Sequence, residues 1–270
     1  MLLSLDSGVS ALEQFQQELD VISNNIANVN TVGFKEAQVS FADTLSETLG
    51  SNAAGSTQVG TGVTTAAITN NFAAGSVSST GVQTDLYVNG NGFFLVKDPV
   101  GGNTYATQDG EFSIDTNGYL VTSSGMRVQG YSDSGLSTLG DIKIDNNGST
   151  AAMQSYTIGT DGKISVLLSD GTTMTRGQVL LQNFTDPQQL EKVGGNLYSG
   201  LSLANPLTAP SAPGSSGLGQ LVSGSLEMSN VDLAQQLTGL ITTQRAYEAN
   251  SKVITTSDQI LQTLVNLKQG

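Results

Sequence analysis

The chain has 270 residues, with 23 Asp and Glu against 10 Lys and Arg, and it contains no His, Cys or Trp. Without His or Cys it cannot build a Ser-His-Asp or Cys-His nucleophile, or a zinc site with thiolate or imidazole ligands. The net charge of −13 argues against nucleic acid as a partner, because phosphates would repel such a chain. We expect no enzymatic activity, no cofactor and no metal.

The remaining composition favours turn-rich β structure and self-association. Only 12% of the residues are charged, and 32 are glycine. No apolar run reaches the roughly 18 residues that span a bilayer, so we expect no membrane insertion. The first residues, Met1–Asp6, lack the basic and continuous apolar regions of a signal peptide, so export would use a route without a cleaved signal.

The N-terminal region predicts an amphipathic helix that begins near Leu5. Its apolar residues recur at spacings of three, four or seven, as a helical face requires. They are Val9, Leu12, Leu19, Ile22, Ile26 and Val29. The helix should end between Asn30 and Gly33, because Asn and Gly tolerate the left-handed backbone conformation. We assign residues 1–35 to this helical region and residues 36–75 to an extended connector, with a flexible stretch at 50–56.

Residues 76–225 predict a β-rich body. Seven Asn-Gly or Asp-Gly pairs mark turns between short apolar runs. They are Asn89-Gly90, Asn91-Gly92, Asp109-Gly110, Asn117-Gly118, Asn147-Gly148, Asp161-Gly162 and Asp170-Gly171. The clearest strands are 93–96, 111–114, 118–121, 126–128 and 178–181. The stretch 206–217, rich in Pro, Gly and Ser, is predicted to be a linker or extended loop.

Residues 226–270 predict a second long helix, from about Asp232 to Leu267. Ser229 and Asp232 have the spacing of a capping box at its start. One apolar stripe contains Leu233, Leu237, Leu240, Tyr247, Ile254 and Leu261. The overall prediction is an α+β fold in which the two terminal helices pair as a coiled coil around a central β domain.

Each terminal helix carries more apolar surface than a two-helix pair can bury. A monomeric helical hairpin and a polymer are equally compatible with this pattern. In a polymer, the remaining faces would be buried against neighbouring subunits, and the termini would order only on assembly.

Motifs at both ends and in the middle of the chain resemble the bacterial flagellar hook and basal-body rod protein family. The N-terminal segment is Ser23–Lys35, with its Thr-Val-Gly-Phe-Lys end, and the C-terminal segments are Ser225–Leu233 and Thr243–Lys252. The central segments are Asn89–Phe94 and Gly110–Ser113. The resemblance covers nearly the whole chain.

The resemblance implies a structural subunit that assembles helically around a central export channel, with helices inside and the β domain outside. It implies a homopolymer in the flagellum, in contact with neighbouring rod, hook-filament junction and hook cap proteins. It also implies passage through the flagellar type III export apparatus. Segments 39–45, 58–63, 128–131 and 259–267 resemble the hook protein most, so we expect a hook subunit. Segment 245–252 and the short length favour the distal rod protein instead, and a secreted carbohydrate-active or adhesive β protein is a third possibility.

We expect the contacts between subunits on both terminal regions. The predicted positions are Leu12, Leu19, Ile22, Asn24, Asn25, Ile26, Asn28, Gly33, Phe34, Asn230, Leu233, Leu237, Leu240, Tyr247, Ile254 and Leu261. The asparagines could instead cap the first helix. The uncharged polar residues Gln235, Gln236, Thr238, Thr242, Thr243 and Gln244 are expected to face the channel.

Other site patterns are incomplete. The Asp145–Gly148 segment overlaps a calcium loop, but Lys143 and Gln154 occupy two ligand positions. Asp109 and Glu111 could form a glycosidase pair, yet they flank a glycine in a predicted turn.

Overall fold

A computed structural model describes residues 2–52, 55–146, 151–207 and 209–269. These residues divide into two compact units. The first contains the residues up to Val29, Lys35–Asn71 and the residues from Val231 onward, and the second contains Asn30–Phe34 and Phe72–Asn230. The fold is α+β, with a helix near each end of the chain and a mostly β centre, as predicted.

The first unit contains both long helices and four strands. Their bounds are α1 (Leu2–Ala27), β1 (Ala37–Asp43), β2 (Ser46–Asn52), β3 (Gly55–Gly60), β4 (Val63–Asn70) and α2 (Leu233–Gln269). The helices pack in antiparallel fashion, since Gly8 of α1 lies beside Ile254 and Ile22 lies beside Gly239. A Cβ atom on Gly239 would lie 3.4 Å from Ile22 Cδ1, an ordinary van der Waals contact, so the helices are in direct contact here.

The helix ends differ from the predicted ones by a few residues. α1 ends at Ala27 rather than at 30–33, because the Asn28 side chain donates to the Asn24 carbonyl at 2.9 Å and caps the last turn. At the start of α2, Asp232 Oδ1 accepts the N–H groups of Ala234 and Gln235, at 2.8 and 3.2 Å. Asp232 is therefore itself the N-cap, in place of the predicted Ser229.

Residues 36–75 are mostly a two-stranded ribbon instead of an extended connector. β1 pairs antiparallel with β4 and β2 pairs with β3, while the Thr44 N–H donates to the Gly62 carbonyl at 3.0 Å between the two pairs. The Phe41 ring meets the Phe15 ring of α1 edge to face at 6.3 Å. The alternating Val, Phe, Thr and Ile residues of these segments suit a strand with one packed face. In the stretch 50–56 that was expected to be flexible, residues 53–54 lie outside the described residues, and the others belong to β2 and β3.

The second unit is built from short strands. They are β5 (Val77–Ser79), β6 (Leu86–Asn89), β7 (Phe93–Lys97), β8 (Thr104–Thr107), β9 (Phe112–Ile114), β10 (Leu120–Thr122), β11 (Arg127–Tyr131), β12 (Leu139–Asp141), β13 (Met153–Ile158), β14 (Lys163–Leu168), β15 (Thr173–Val179), β16 (Leu181–Gln182), β17 (Glu191–Gly194), β18 (Leu197–Ser199), β19 (Gln220–Ser223) and β20 (Ser225–Glu227), with a 3-10 turn at Pro187–Gln189. The main sheet has the order β13-β14-β15-β11-β7-β8-β18-β17, with β9, β10, β12 and β16 attached beside it. Two smaller antiparallel pairs are β19-β6 and β20-β5.

Strand β7 separates two hydrophobic cores. Phe94 and Val96 face the larger core, where the Phe94 and Phe112 rings meet edge to face at 5.1 Å. Phe93 and Leu95 face a smaller core around Tyr198. An apolar run buried on both sides explains why this strand does not alternate between apolar and polar residues.

The turn predictions are confirmed at three of the seven pairs. Gly118, Gly162 and Gly171 have φ of +80° to +85° and connect strands that pair with each other. The pairs within 89–92 and at 109–110 instead connect strands that do not pair with each other, and 147–148 lies outside the described residues.

The stretch 206–217 packs on the body and is not a free linker. Ser211 exchanges two backbone hydrogen bonds with Leu181, at 2.9 and 3.0 Å, and Pro213 is buried. Pairing with β16 accounts for this, because it satisfies backbone groups that would otherwise be left without partners.

Candidate assembly surface

The side of α2 that faces α1 carries two columns of residues at seven-residue spacing. We call this side the seam. One column is apolar and half-buried for most of its length: Leu240, Tyr247, Ile254 and Leu261. The other column is polar: Gln236, Thr243, Asn250 and Ser257, of which Gln236, Thr243 and Ser257 are only 4–8% exposed. Gln236 and Thr243 therefore lie inside the subunit and do not form the exposed polar face that was predicted for them.

A buried amide network ties the start of α2 to the end of α1. Asn25 is 1% exposed, and its Nδ2 donates to the Ala37 carbonyl at 2.8 Å and to Gln236 Oε1 at 3.2 Å. Asn25 Oδ1 accepts the Ala37 N–H at 3.1 Å, and Gln236 Nε2 donates to Glu36 Oε1 at 2.7 Å. Asn25 thus satisfies backbone groups of β1 within its own subunit, and its amide is not a free contact for another subunit.

Many apolar side chains of α2 lie in solvent, on more than one side of the helix and including Tyr247 of the seam. We call them together the exposed apolar surface of α2. Its members are between 38% and 73% exposed: Leu233, Leu237, Ile241, Tyr247, Val253, Ile260, Leu264, Val265 and Leu267. Nine large apolar side chains on one helix exceed the scattered exposure of an ordinary monomer surface and are typical of a protein interaction surface.

The segment Asn30–Phe34 docks on the β body of the second unit. The Gly33 N–H donates to the Glu227 carbonyl at 2.8 Å, and Asn196 Nδ2 donates to the Val32 carbonyl at 2.6 Å. Lys192 Nζ lies 4.8 Å from the centre of the Phe34 ring, a cation-π contact.

Gly33 is required at its position for two reasons. Its φ of +66° lies in the left-handed region, and a Cβ atom there would lie 2.7 Å from the backbone nitrogen of Asp109. The local motif predicted a role for Gly33 and Phe34, but their partners lie from about 75 to almost 200 residues away in the chain. No local pattern marks such distant contacts.

The predicted contact residues therefore fall into three groups. Buried within the subunit are Ile22, Asn25, Gly33 and Phe34. Half-buried are Leu12, Leu19, Ile26, Asn28, Asn230, Leu240, Ile254 and Leu261. Exposed are Asn24, Leu233, Leu237 and Tyr247. The first group stabilises the subunit itself, and the last group belongs to accessible surface.

Asp109 is a carboxyl group whose pKa the fold raises. Burial raises its pKa to about 6, and the nearby charges of Glu111 and Asp85 act in the same direction. Asp109 Oδ1 accepts a hydrogen bond from the Glu111 N–H at 3.0 Å, so the carboxylate stabilises the local turn. In the described part of the chain, no group of three or more acidic residues is arranged to hold a metal ion. None of the described helices combines the length and the apolar character needed to cross a membrane.

Comparison with known families matches three parts of the chain. Residues 5–35 match the flagella basal body rod protein family, and residues 87–166 match the D1 domain of the flagellar hook protein FlgE/F/G family. Residues 222–267 match the C-terminal region of the flagellar basal body rod FlgEFG proteins. The N- and C-terminal matches cover most of α1 and α2.

Full-length relatives agree with these matches. The flagellar basal-body rod protein FlgG of Bacillus subtilis is 43% identical over 277 aligned positions, which cover 100% of both chains. FlgG of Buchnera aphidicola from Acyrthosiphon pisum is 38% identical, with 99% of this chain and 100% of the relative covered. The flagellar hook protein FlgE of Borreliella burgdorferi is 26% identical over 444 positions, covering 99% of this chain and 100% of that one.

These matches place the chain among the structural proteins of the flagellar axis, and the relatives are structural proteins, not enzymes. The chain belongs to the flagellar basal-body rod and hook protein family. The expectation of a hook subunit is not confirmed, because the relatives with higher identity are named rod proteins.

Proposed function

We propose that this chain is a subunit of the distal rod, the rigid shaft of the flagellar basal body. The supporting observation is its collinear match, at 43% identity, to a basal-body rod protein of nearly the same length. The match to the hook protein extends over 444 positions, against 270 residues here, so the hook relative has long insertions that this chain lacks.

The proposed mechanism is helical self-assembly through the first unit. Burial of the exposed apolar surface of α2 against other copies would remove apolar side chains from water, which stabilises the assembly by about 25 cal/mol per Å² of buried apolar area. The accessible members of the predicted contact set, Asn24, Leu233, Leu237 and Tyr247, would take part. The helices of residues 1–35 and 226–270 would form the inner layers around an export channel, and residues 76–225 would form the outer wall.

We further propose that the subunit reaches the rod through the flagellar type III export apparatus without a cleaved signal. Neighbouring axial proteins would contact it at both ends of the polymer. The chain has no Cys, so no disulfide would prevent it from unfolding during export. The expectation that its termini order fully only on assembly stays a prediction.

Labelling of isolated basal bodies tests the proposal. An epitope inserted at Val100, which is 95% exposed in the connection between β7 and β8, would mark the subunit for immunogold electron microscopy. We expect gold along the straight rod. Gold along the curved hook would overturn the rod assignment in favour of the hook, and gold on neither structure would overturn both.

A further inference from the structure

The Asn-Gly pairs of the chain lie in different structural surroundings. The pair 117–118 connects β9 and β10, which pair with each other as a hairpin. The pairs 89–90 and 91–92 lie between β6 and β7, which do not pair with each other, and 147–148 lies outside the described residues. A hairpin turn therefore accounts for the pair 117–118 but not for the two pairs within 89–92.

An Asn-Gly pair is also a reactive group. The backbone nitrogen of the glycine attacks Cγ of the asparagine, and glycine has no side chain to hinder the approach. The new N–Cγ bond closes a succinimide ring, while the Cγ–Nδ2 bond breaks and ammonia leaves with the proton of the glycine N–H. Water then opens the ring at either carbonyl group, which gives an aspartyl or an isoaspartyl residue. The reaction requires water, an accessible glycine N–H and a free asparagine amide.

The pair Asn89-Gly90 meets these requirements. Both residues are exposed, and Asn89 is the last residue of β6. Within the part of the chain that the structure describes, the Gly90 N–H donates to no acceptor and the Asn89 amide makes no hydrogen bond. The attacking nitrogen and the amide that it attacks are therefore both open to water.

The other two described pairs are more restrained. The Gly118 N–H donates to the Asp115 carbonyl at 2.8 Å, and Asn117 Nδ2 donates to Asp115 Oδ2 at 3.2 Å. Gly92 is buried, and its carbonyl accepts a hydrogen bond from Gln108 Nε2 at 3.5 Å. Ring closure at 117–118 must first break hydrogen bonds, and ring closure at 91–92 must first expose a buried nitrogen.

From these surroundings we propose that Asn89 is a site of spontaneous deamidation in the folded chain, through a succinimide formed with Gly90. The proposal does not depend on the rod assignment. The product has a carboxylate where the natural chain has a neutral amide, so each modified chain gains one negative charge.

The isoaspartyl product would also loosen the pairing of β6 with β19. Asn89 lies opposite Gln220 in that pair. A Cβ atom on Gly219 would lie 2.5 Å from the Asn89 carbonyl oxygen, so the two backbones pack closely here. In an isoaspartyl residue the main chain runs through Cβ and Cγ and is one carbon longer. Closely packed structure accepts an added carbon only with strain, so we expect the modified chain to melt at a lower temperature.

Incubation of the purified full-length chain at mildly alkaline pH, followed by peptide mass spectrometry with fragmentation, tests the proposal. Asn117 is the internal control. We expect Asn89 to deamidate at least ten times faster than Asn117, and faster than Asn91. In urea the two rates should become similar, because the hydrogen bonds that restrain Asn117 and Gly118 are lost. Equal rates in the folded chain, a faster reaction at Asn91, or the same ratio with and without urea would overturn the proposal.

Two matched variants test the structural consequence. Asn89→Gln should suppress the reaction, because glutamine would have to close a larger ring, while Asn91→Gln should leave it unchanged. After the same incubation, we expect a lower-melting population in the natural chain and in Asn91→Gln, but not in Asn89→Gln. The same loss of stability in all three chains would show that Asn89 is not its source. Both tests use unassembled protein, so their result is independent of where gold labels the basal body.

Discussion

Asn25 of α1 donates a hydrogen bond to Gln236 of α2 across 3.2 Å, although 211 residues separate them in the chain. The same Asn25 side chain makes two hydrogen bonds to the backbone of Ala37. One buried amide therefore holds both helices and the first strand of the first unit. A buried polar group whose hydrogen bonds are all formed stabilises a fold. If one side chain of such a network is removed, the remaining buried donors and acceptors lose their partners, which costs free energy.

We expect Asn25→Ala to destabilise the first unit by about 2–4 kcal/mol, because the Ala37 N–H and carbonyl and Gln236 Oε1 would lose their partner. Thermal unfolding followed by circular dichroism at 222 nm would measure it. Asn30→Ala is the matched control, since Asn30 is exposed. We expect its effect to stay within about 0.5 kcal/mol. Equal effects of the two substitutions would contradict the role of the network.

Gly33 is expected to be intolerant of any side chain. Gly33→Ala would force a Cβ atom to within 2.7 Å of the Asp109 backbone nitrogen, in addition to the left-handed φ, and should cost more than about 2 kcal/mol. Gly81→Ala separates the two effects, because Gly81 has a φ of +72° but nothing within 4 Å of its Cβ position. It should cost only about 1 kcal/mol. Urea unfolding of both variants measures the difference, and comparable midpoints would refute the steric argument.

Asp109 should make the stability of the second unit depend on pH. Its pKa in the folded chain is about 6, above the ordinary value of 3.8, so the folded state holds this proton more tightly than the unfolded state. The stability that protonated Asp109 contributes to the folded state is fully present below pH 3.8 and is lost as the pH rises through about 6. Asp109→Asn keeps an oxygen for the Glu111 N–H and has no charge to bury.

Asp109→Asn should therefore stabilise the protein by about 1–2 kcal/mol at pH 7.5 and have little effect at pH 4. Melting curves of both proteins at a series of pH values would measure this difference. A difference that is constant with pH would show that the carboxylate does not titrate in this window. Asp98→Asn provides a control for the removal of one negative charge in the same unit.

Asp232 should contribute the N-cap of α2. Asp232→Ala removes the acceptor for two backbone N–H groups and should cost about 1 kcal/mol, while Asp232→Asn retains a capping oxygen and should cost much less. Chemical denaturation of the two variants would rank them. If Asn and Ala were equally destabilising, the capping contact would not be the source of the effect.

Local sequence patterns were enough to predict the two terminal helices, several hairpins and the family resemblance. The spacing of apolar residues predicted both terminal helices, because a helix of 3.6 residues per turn places positions three and four apart on one face. Asn-Gly and Asp-Gly pairs predicted the hairpins at Gly118, Gly162 and Gly171, because these residues tolerate positive φ. The family resemblance came from short segments whose identity and order are visible without coordinates.

Only the tertiary structure decided which helix faces are covered and which are free. Sequence periodicity shows that α2 has more than one apolar stripe, but it does not say which stripe meets α1. The structure places the polar column of Gln236, Thr243 and Ser257 against α1 and leaves Leu233, Leu237 and Ile241 in solvent. It likewise turns Asn25, Gly33 and Phe34 inward, toward partners distant in the chain. These outcomes depend on contacts between segments far apart in sequence, which periodicity and turn chemistry do not encode.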